Sequence, residues 1–212
     1  MSLRLLVRKL ELEGRRVTTA GALRDYCKAA GTGYYPAVGY LITRRYIARI
    51  LRGVFYVRSV EERKLGRTDI YYADAIAEAL RLKGIANWYF GLETAAKLNN
   101  LTYERSEVTY VLSDTLFRGA PIGVLGHKVK FIKIKKHLFG FGTKKHVSDA
   151  EKTVLDMIYL SRYNGFEEDR LRGRVADLLP SCDEKRLCRY SRHYPKTVRE
   201  ELGRMLEWTK KR

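Results

Sequence analysis

The sequence predicts an α+β fold, with an N-terminal winged helix-turn-helix domain followed by a mixed α/β C-terminal domain that ends in a helical tail. Three observations carry this. Residues 34–57, YYPAVGYLITRRYIARILRGVFYV, change period in mid-run, from helical spacing to a stretch of β-branched and aromatic residues. Arg52-Gly53 then separates two such stretches, Tyr46–Leu51 and Val54–Val57, as a two-residue hairpin signal. Two short amphipathic segments come before, so three helices lead into one hairpin.

The predicted third helix begins where Pro36 can sit in a first turn, since the missing N–H is not needed there. Val38, Leu41 and Ile42 fall at i, i+3 and i+4 and predict a stripe facing a core. Tyr35, Gly39, Tyr40, Thr43 and Arg44 are left on or near the other face. A helix placed this way in a major groove would bring Tyr35, Tyr40, Thr43 and Arg44 to base edges. Arg45 completes the helix end, and Arg49, Arg52 and Arg58 would ride on or beside the wing, close to phosphate.

Charge supports that direction. The chain of 212 residues has a formal net charge of +18. Between Tyr26 and Val60 there are six basic residues and no acid. A field of one sign attracts a polyanion.

The remaining elements follow in order. Ser2 is placed to cap a first helix with Leu3, Leu6, Val7 and Leu10 on one face, stopped by Gly14. Thr18 or Thr19 caps a second, with Ala22, Leu23 and Tyr26 inward and Gly31 at its end. Residues 1–60 then form the winged-helix domain, the charged stretch 61–68 (EERKLGRT) a linker, and residues 69–212 the C-terminal domain. In the latter, residues 72–83 predict an amphipathic helix, Trp88, Tyr89 and Phe90 a core cluster or, as the alternative, a base-stacking one, and residues 92–98 a short helix. Residues 107–112 predict a strand. Residues 127–136 predict another whose alternation slips between Phe131 and Ile132, which implies either a bulge or a strand covered on both faces. Ser148-Asp-Ala-Glu151 predicts a capping box opening a helix with Val154, Leu155, Ile158 and Tyr159 buried. Residues 167–211 predict helices broken near Pro180 and Pro195.

The "GVFYV" wing, the "YFGLETAAKLNNL" segment and the helix start "SDAEKTVLDMIYL", in that order, resemble the AbiEi-type antitoxins, the transcriptional-regulator halves of type IV toxin–antitoxin pairs. The resemblance spans about Val17 to Tyr163. Glu151, Thr153 and Asp156 stand where that family has an ER-T-x-x-D helix start, with Lys152 in the usual arginine's place. It implies a repressor that binds its own operator in double-stranded DNA. It also implies a C-terminal domain that counteracts a cognate nucleotidyltransferase-like toxin, by direct complex formation or by acting on the toxin's substrate or product. No catalytic residue, metal or cofactor is implied.

Other classes fare worse. His127, His137, His146 and His193 show no HxxxH or CxxH spacing, and the three cysteines no CxxC, so no metal site is expected. Phosphate-binding glycine loops and GxSxG are absent. A nuclease would need clustered carboxylates, and only Glu62-Arg-Lys64 resembles an acid-x-lysine pattern. The alternative is an RNA- or protein-binding accessory module. Scattered charges near the start argue against a secretory signal, and no apolar run reaches membrane-spanning length, so a cytoplasmic protein is expected. The lack of glutamine beside abundant charge hints at a heat-adapted source.

Overall fold

The computed structural model describes residues 3–104, 106–164 and 168–210. It is α+β and divides into two compact units. One comprises Met1–Ala86 with Gly123–His127, the other Asn87–Ile122 with Lys128–Arg212.

In the first unit the order is α1 (Leu3–Leu12), β1 (Val17–Thr19), α2 (Ala20–Ala29), α3 (Tyr34–Thr43), β2 (Ile47–Leu51), β3 (Val54–Val57), α4 (Val60–Leu65) and α5 (Tyr72–Leu82). The three strands form an antiparallel sheet in the order β1-β3-β2. Strand β1 was not foreseen; it is three residues long and carries no turn signal of its own. Thr19 caps α2, its hydroxyl accepting from the Ala22 amide at 3.3 Å. Leu6, Leu10, Leu23, Cys27, Ala37, Val38, Leu41, Ile47 and Phe55 pack as one apolar cluster between helices and sheet. The apolar face of α5, with Ala75, Ile76, Ala79 and Leu80 buried, packs against all three strands. The sheet is thus covered on both faces, which explains why Ile50, Val54 and Tyr56 are buried as well as Phe55.

This revises two expectations. Residues 61–68 are not an open linker, because most of them belong to α4 and the turn that ends it. Ser59 and Glu62 make a reciprocal capping box, and Glu62 is 3% exposed. Its carboxylate accepts from the Ser59 amide (2.7 Å), the Asp69 amide (2.6 Å) and the Tyr56 hydroxyl. Burial pushes the Glu62 carboxyl up, but these hydrogen bonds outweigh it and hold it below the ordinary value. The second change is that α5, assigned by sequence to the C-terminal domain, belongs to the first unit.

The second unit contains β4 (Trp88–Phe90), α6 (Leu92–Leu98), β5 (Val108–Ser113), most of β7 (His127–Lys133), β8 (Thr143–Lys144) and β9 (Val147–Ser148), while β6 (Ile122–Val124) has only Ile122 in it. Helices α7 (Ala150–Asn164), α8 (Glu168–Leu178), α9 (Glu184–Ser191) and α10 (Lys196–Lys210) complete it. Its sheet has the order β6-β7-β5-β4-β9-β8. Strands β5 and β7 pair in parallel without a break in register from Val108↔Lys128 to Ser113↔Lys133. The slip at Phe131 and Ile132 is therefore not a bulge: Val129, Phe131, Ile132 and Ile134 are all buried, as in a strand covered on both faces. Helices break at Pro180 and Pro195 as the sequence predicts, while residues 167 and 211, the two ends of that stretch, lie outside the described residues.

Candidate nucleic-acid interface

Helix α3 turns Ala37, Val38 and Leu41 into the core. Ile42, predicted to join them, is 37% exposed, because Ala37 takes the third position of the buried stripe instead. Tyr35 is 81% exposed, and Gly39, Thr43, Arg44 and Arg45 also face solvent. A methyl placed at Gly39 would meet nothing within 4 Å, so this face is open.

The helix ends in a doubled hydrogen-bond turn. The Arg45 amide donates to the Ile42 carbonyl at 2.9 Å and the Tyr46 amide to the Leu41 carbonyl at 2.8 Å. Tyr46 then stacks on Tyr40 with ring centroids 6.2 Å apart, the apolar contact that accompanies such an ending. Tyr40 is thereby held in place and half-buried rather than free. The left-handed residue is Arg45, with φ 59°, at the position where glycine is usual.

Arg49 lies exposed on β2 opposite Phe55, with its guanidinium 5.9 Å from that ring's centroid. The ladder shifts register between Arg49 and Leu51, a bulge next to the turn, which lets Ile50 and Leu51 both be buried. Arg52 and Gly53 make the turn, Gly53 with φ 78°. Two anchors hold this tip: the Ala20 amide donates to the Gly53 carbonyl at 2.8 Å, and Lys83 Nζ donates to the Arg52 carbonyl at 3.1 Å. Lys83 adds an exposed cation beside the turn that sequence reasoning missed, since it arrives from thirty-one residues away.

Arg58 does not ride on the wing. It follows the last residue of β3, at the opposite end of that strand from Arg52, and its amide donates to the Tyr46 carbonyl at 2.9 Å. The structure thus groups Tyr35, Thr43, Arg44 and Arg45 on α3 and its end, and Arg49 and Arg52 on the hairpin. It sets Arg58 apart at the hairpin's root.

The motif residues of the second unit have a different fate. Asp149, not Ser148, caps α7: its carboxylate accepts from the Lys152 amide at 2.9 Å and its carbonyl from the Thr153 amide at 2.9 Å. Glu151, which the expected box would have turned back on Ser148, accepts from the Asp183 amide at 2.9 Å instead. Residues 151–160 are buried without exception. Lys152 and Asp156 are both 0% exposed, 3.8 Å apart. Lys152 Nζ donates to the Leu138 carbonyl at 2.6 Å and lies 4.5 Å from the Phe141 ring centroid and 4.8 Å from that of Tyr89. The Tyr89 and Tyr194 hydroxyls each donate to Asp156 at 2.7 Å. Burial pushes the Asp156 carboxyl up and the Lys152 ammonium down, each opposed by the other's charge. Asp156 is therefore a fully committed acceptor inside the core. The aromatic trio Trp88, Tyr89 and Phe90 is buried too, so none of it is free to stack on bases.

Glu62, the one acid offered for a nuclease, is consumed by the capping box and Tyr56. Among the described residues no three His, Cys, Asp or Glu side chains converge as a metal set. No helix among them is long and apolar enough to cross a membrane.

No protein-family model and no curated protein matches the chain. Among solved structures it is similar to the crystal structure of the Rv2827c protein from Mycobacterium tuberculosis, with a TM-score of 0.60 and 16% identity. That match covers 97% of this chain and 76% of the other. At such identity the likeness is one of fold.

Proposed function

We propose that the first unit is a winged-helix domain that binds duplex DNA and that the chain is a repressor of its own operon, of the AbiEi antitoxin type. The observation that carries the reading is the condition of α3. Its outer face is exposed, uncharged by any acid, flanked by Arg44 and Arg45, and followed at once by a hairpin bearing Arg49 and Arg52. Three helices leading into one hairpin support the reading, with β1 added as a third strand in the order β1-β3-β2. Tyr35, Thr43 and Arg44 read base edges, while Arg45, Arg49, Arg52 and Lys83 meet phosphate.

The toxin-directed role rests on the resemblance alone, and its test is co-purification with the neighbouring gene product. A stable complex supports direct neutralisation, and protection without one supports action on the toxin's substrate or product.

The deciding experiment is fluorescence anisotropy on duplex DNA from immediately upstream of the gene, against a scrambled duplex, across a salt series. Preference for the native duplex near physiological salt is the expected result, with a log–log slope of about −0.9 per phosphate contact. Equal, steeply salt-sensitive binding to both duplexes would sink the repressor reading, and preference for RNA at equal salt would replace it with an accessory RNA-binding role.

A further inference from the structure

The second unit carries a basic run that the DNA-binding reading leaves unused. From Thr115 to Ser148 there are eight lysine and arginine residues and no acid, a stretch nearly as long as the acid-free run of the first unit. Register gathers much of that charge at one end of the sheet. Lys133, the last residue of β7, is level with Ser113 at the end of β5, and Ser113 with Trp88 at the start of β4. Lys135 and Lys136 follow directly, at the start of a single 3₁₀ turn. The two-residue turn between β8 and β9, Lys145-His146, reaches the same end. The Phe90 amide donates to the His146 carbonyl at 2.8 Å, and the His146 ring lies on the Trp88 ring, centroids 4.1 Å apart and planes within 4° of parallel. From β7 to β9 is three strand spacings, about 14 Å.

Lys133, Lys135, Lys136, Lys144 and Lys145 are all exposed, and among the described residues none of them makes an ion pair. Lys128, which does pair, with Glu107 at 3.0 Å, stands at the opposite end of the same two strands. Asp114, which follows Ser113, is half-buried and accepts from the Asn87 side-chain amide at 2.7 Å. Lysines on an edge strand discourage pairing with another sheet, but of these five only Lys144 lies on one. Two rings stand among the cations. His146 is exposed although its ring rests on the buried Trp88. Phe117 is 59% exposed beside β7, where the neighbouring Arg118 amide donates to the Phe131 carbonyl at 3.0 Å.

We propose that this end of the second unit's sheet binds single-stranded nucleic acid, its five free lysines meeting phosphates and His146, seated on Trp88, stacking against a base. Unpaired cations in a row suit a phosphate backbone, and an exposed ring held flat by a buried one suits an unpaired base. In a duplex the bases are already stacked on one another, so the rings favour a single strand. The inference rests on the second unit alone and does not depend on the DNA-binding reading of α3.

The test is fluorescence anisotropy of a labelled oligouridylate of about 16 nucleotides, the length of a long single-strand site, with the full-length protein across a salt series. Two double variants change exposed side chains: Lys135→Ala with Lys136→Ala, and Lys144→Ala with Lys145→Asn, the asparagine keeping the left-handed turn. Each is expected to weaken binding about tenfold and to flatten the log–log salt slope by about 1.4, at about 0.7 per phosphate contact. His146→Asn keeps the backbone and removes the ring; about fivefold weaker binding with little change of slope is expected. Lys64→Ala with Lys97→Ala removes two charges from exposed positions elsewhere and should leave the midpoint within about twofold. Equal losses in that control and in the two lysine pairs would reduce the effect to net charge and overturn the proposal. So would a scrambled duplex that competes as well as unlabelled oligouridylate. Arg44→Ala and Arg52→Ala should leave the oligouridylate midpoint unmoved whether or not the upstream duplex binds, and a midpoint that follows them would place the strand on the first unit instead.

Discussion

Helices α3 and α7 make opposite uses of their polar residues. In α3 Ala37, Val38 and Leu41 are buried and Tyr34 and Tyr40 pack partly against the same core, while Tyr35 and Thr43, with Arg44 and Arg45 at the helix end, stay at the surface. In α7 ten consecutive residues are buried, among them a lysine, two carboxylates and a threonine, and each of these polar groups is tied to a partner inside the unit. The difference shows that residue type alone does not mark a functional site. What matters is whether the fold has left the group unspent.

The largest test of that contrast lies in α7. Asp156→Ala leaves Lys152 buried without its counter-charge and two tyrosine hydroxyls without their acceptor, so it is expected to cost about 3–5 kcal/mol. Urea unfolding measures this. The double variant Lys152→Met with Asp156→Leu should recover much of the loss, since two apolar side chains leave no charge stranded. A single variant no less stable than the parent would mean the pair contributes nothing.

Glu62 gives the next effect. Its carboxyl is held below the ordinary value of 4.5, so its contribution is fully present above that pH and is lost as the pH falls through the lower folded value. The parent's stability should therefore fall more steeply with acid than that of Glu62→Gln, which is lower by about 1–3 kcal/mol at neutral pH and whose curve is flatter, so that the two converge at low pH. Comparable loss of DNA binding before unfolding would point instead to a direct role.

In α3 the expected effects fall on binding, not stability. Arg44→Ala should relax discrimination at one base position by about 1–3 kcal/mol, and Arg52→Ala should weaken all duplexes alike and reduce the salt slope by about one. Tyr35→Ala should shift stability by no more than about 0.5 kcal/mol, because so little of the side chain is buried. A large stability loss there would break the contrast at its other end.

The sequence made α3 and the hairpin legible because their signals are local: a helical stripe, an Arg-Gly turn and a long acid-free run. Even there Ile42 was misplaced, since a stripe three residues wide has no fixed edge until its neighbours are known. Residues 61–68 look like a linker by their charge, yet Ser59-x-x-Glu62 carries the spacing of a capping box, and it is that spacing that opens a helix. Nothing local could reveal α7. Val154, Leu155, Ile158 and Tyr159 are buried as their stripe predicts, but α6 packs on α7 as well as α8, α9 and α10, so its remaining faces are buried by partners distant in sequence. Lys83 was hidden for the same reason.

The strained end of α3 bears on how this chain would respond to engineering. A stabilisation scheme that scores each helix terminus by backbone preference would choose Arg45→Gly, because the left-handed turn there costs arginine what it does not cost glycine. The product is expected to melt later and, on the DNA-binding reading proposed above, to bind duplex DNA less firmly, so that stability and binding would pull position 45 in opposite directions.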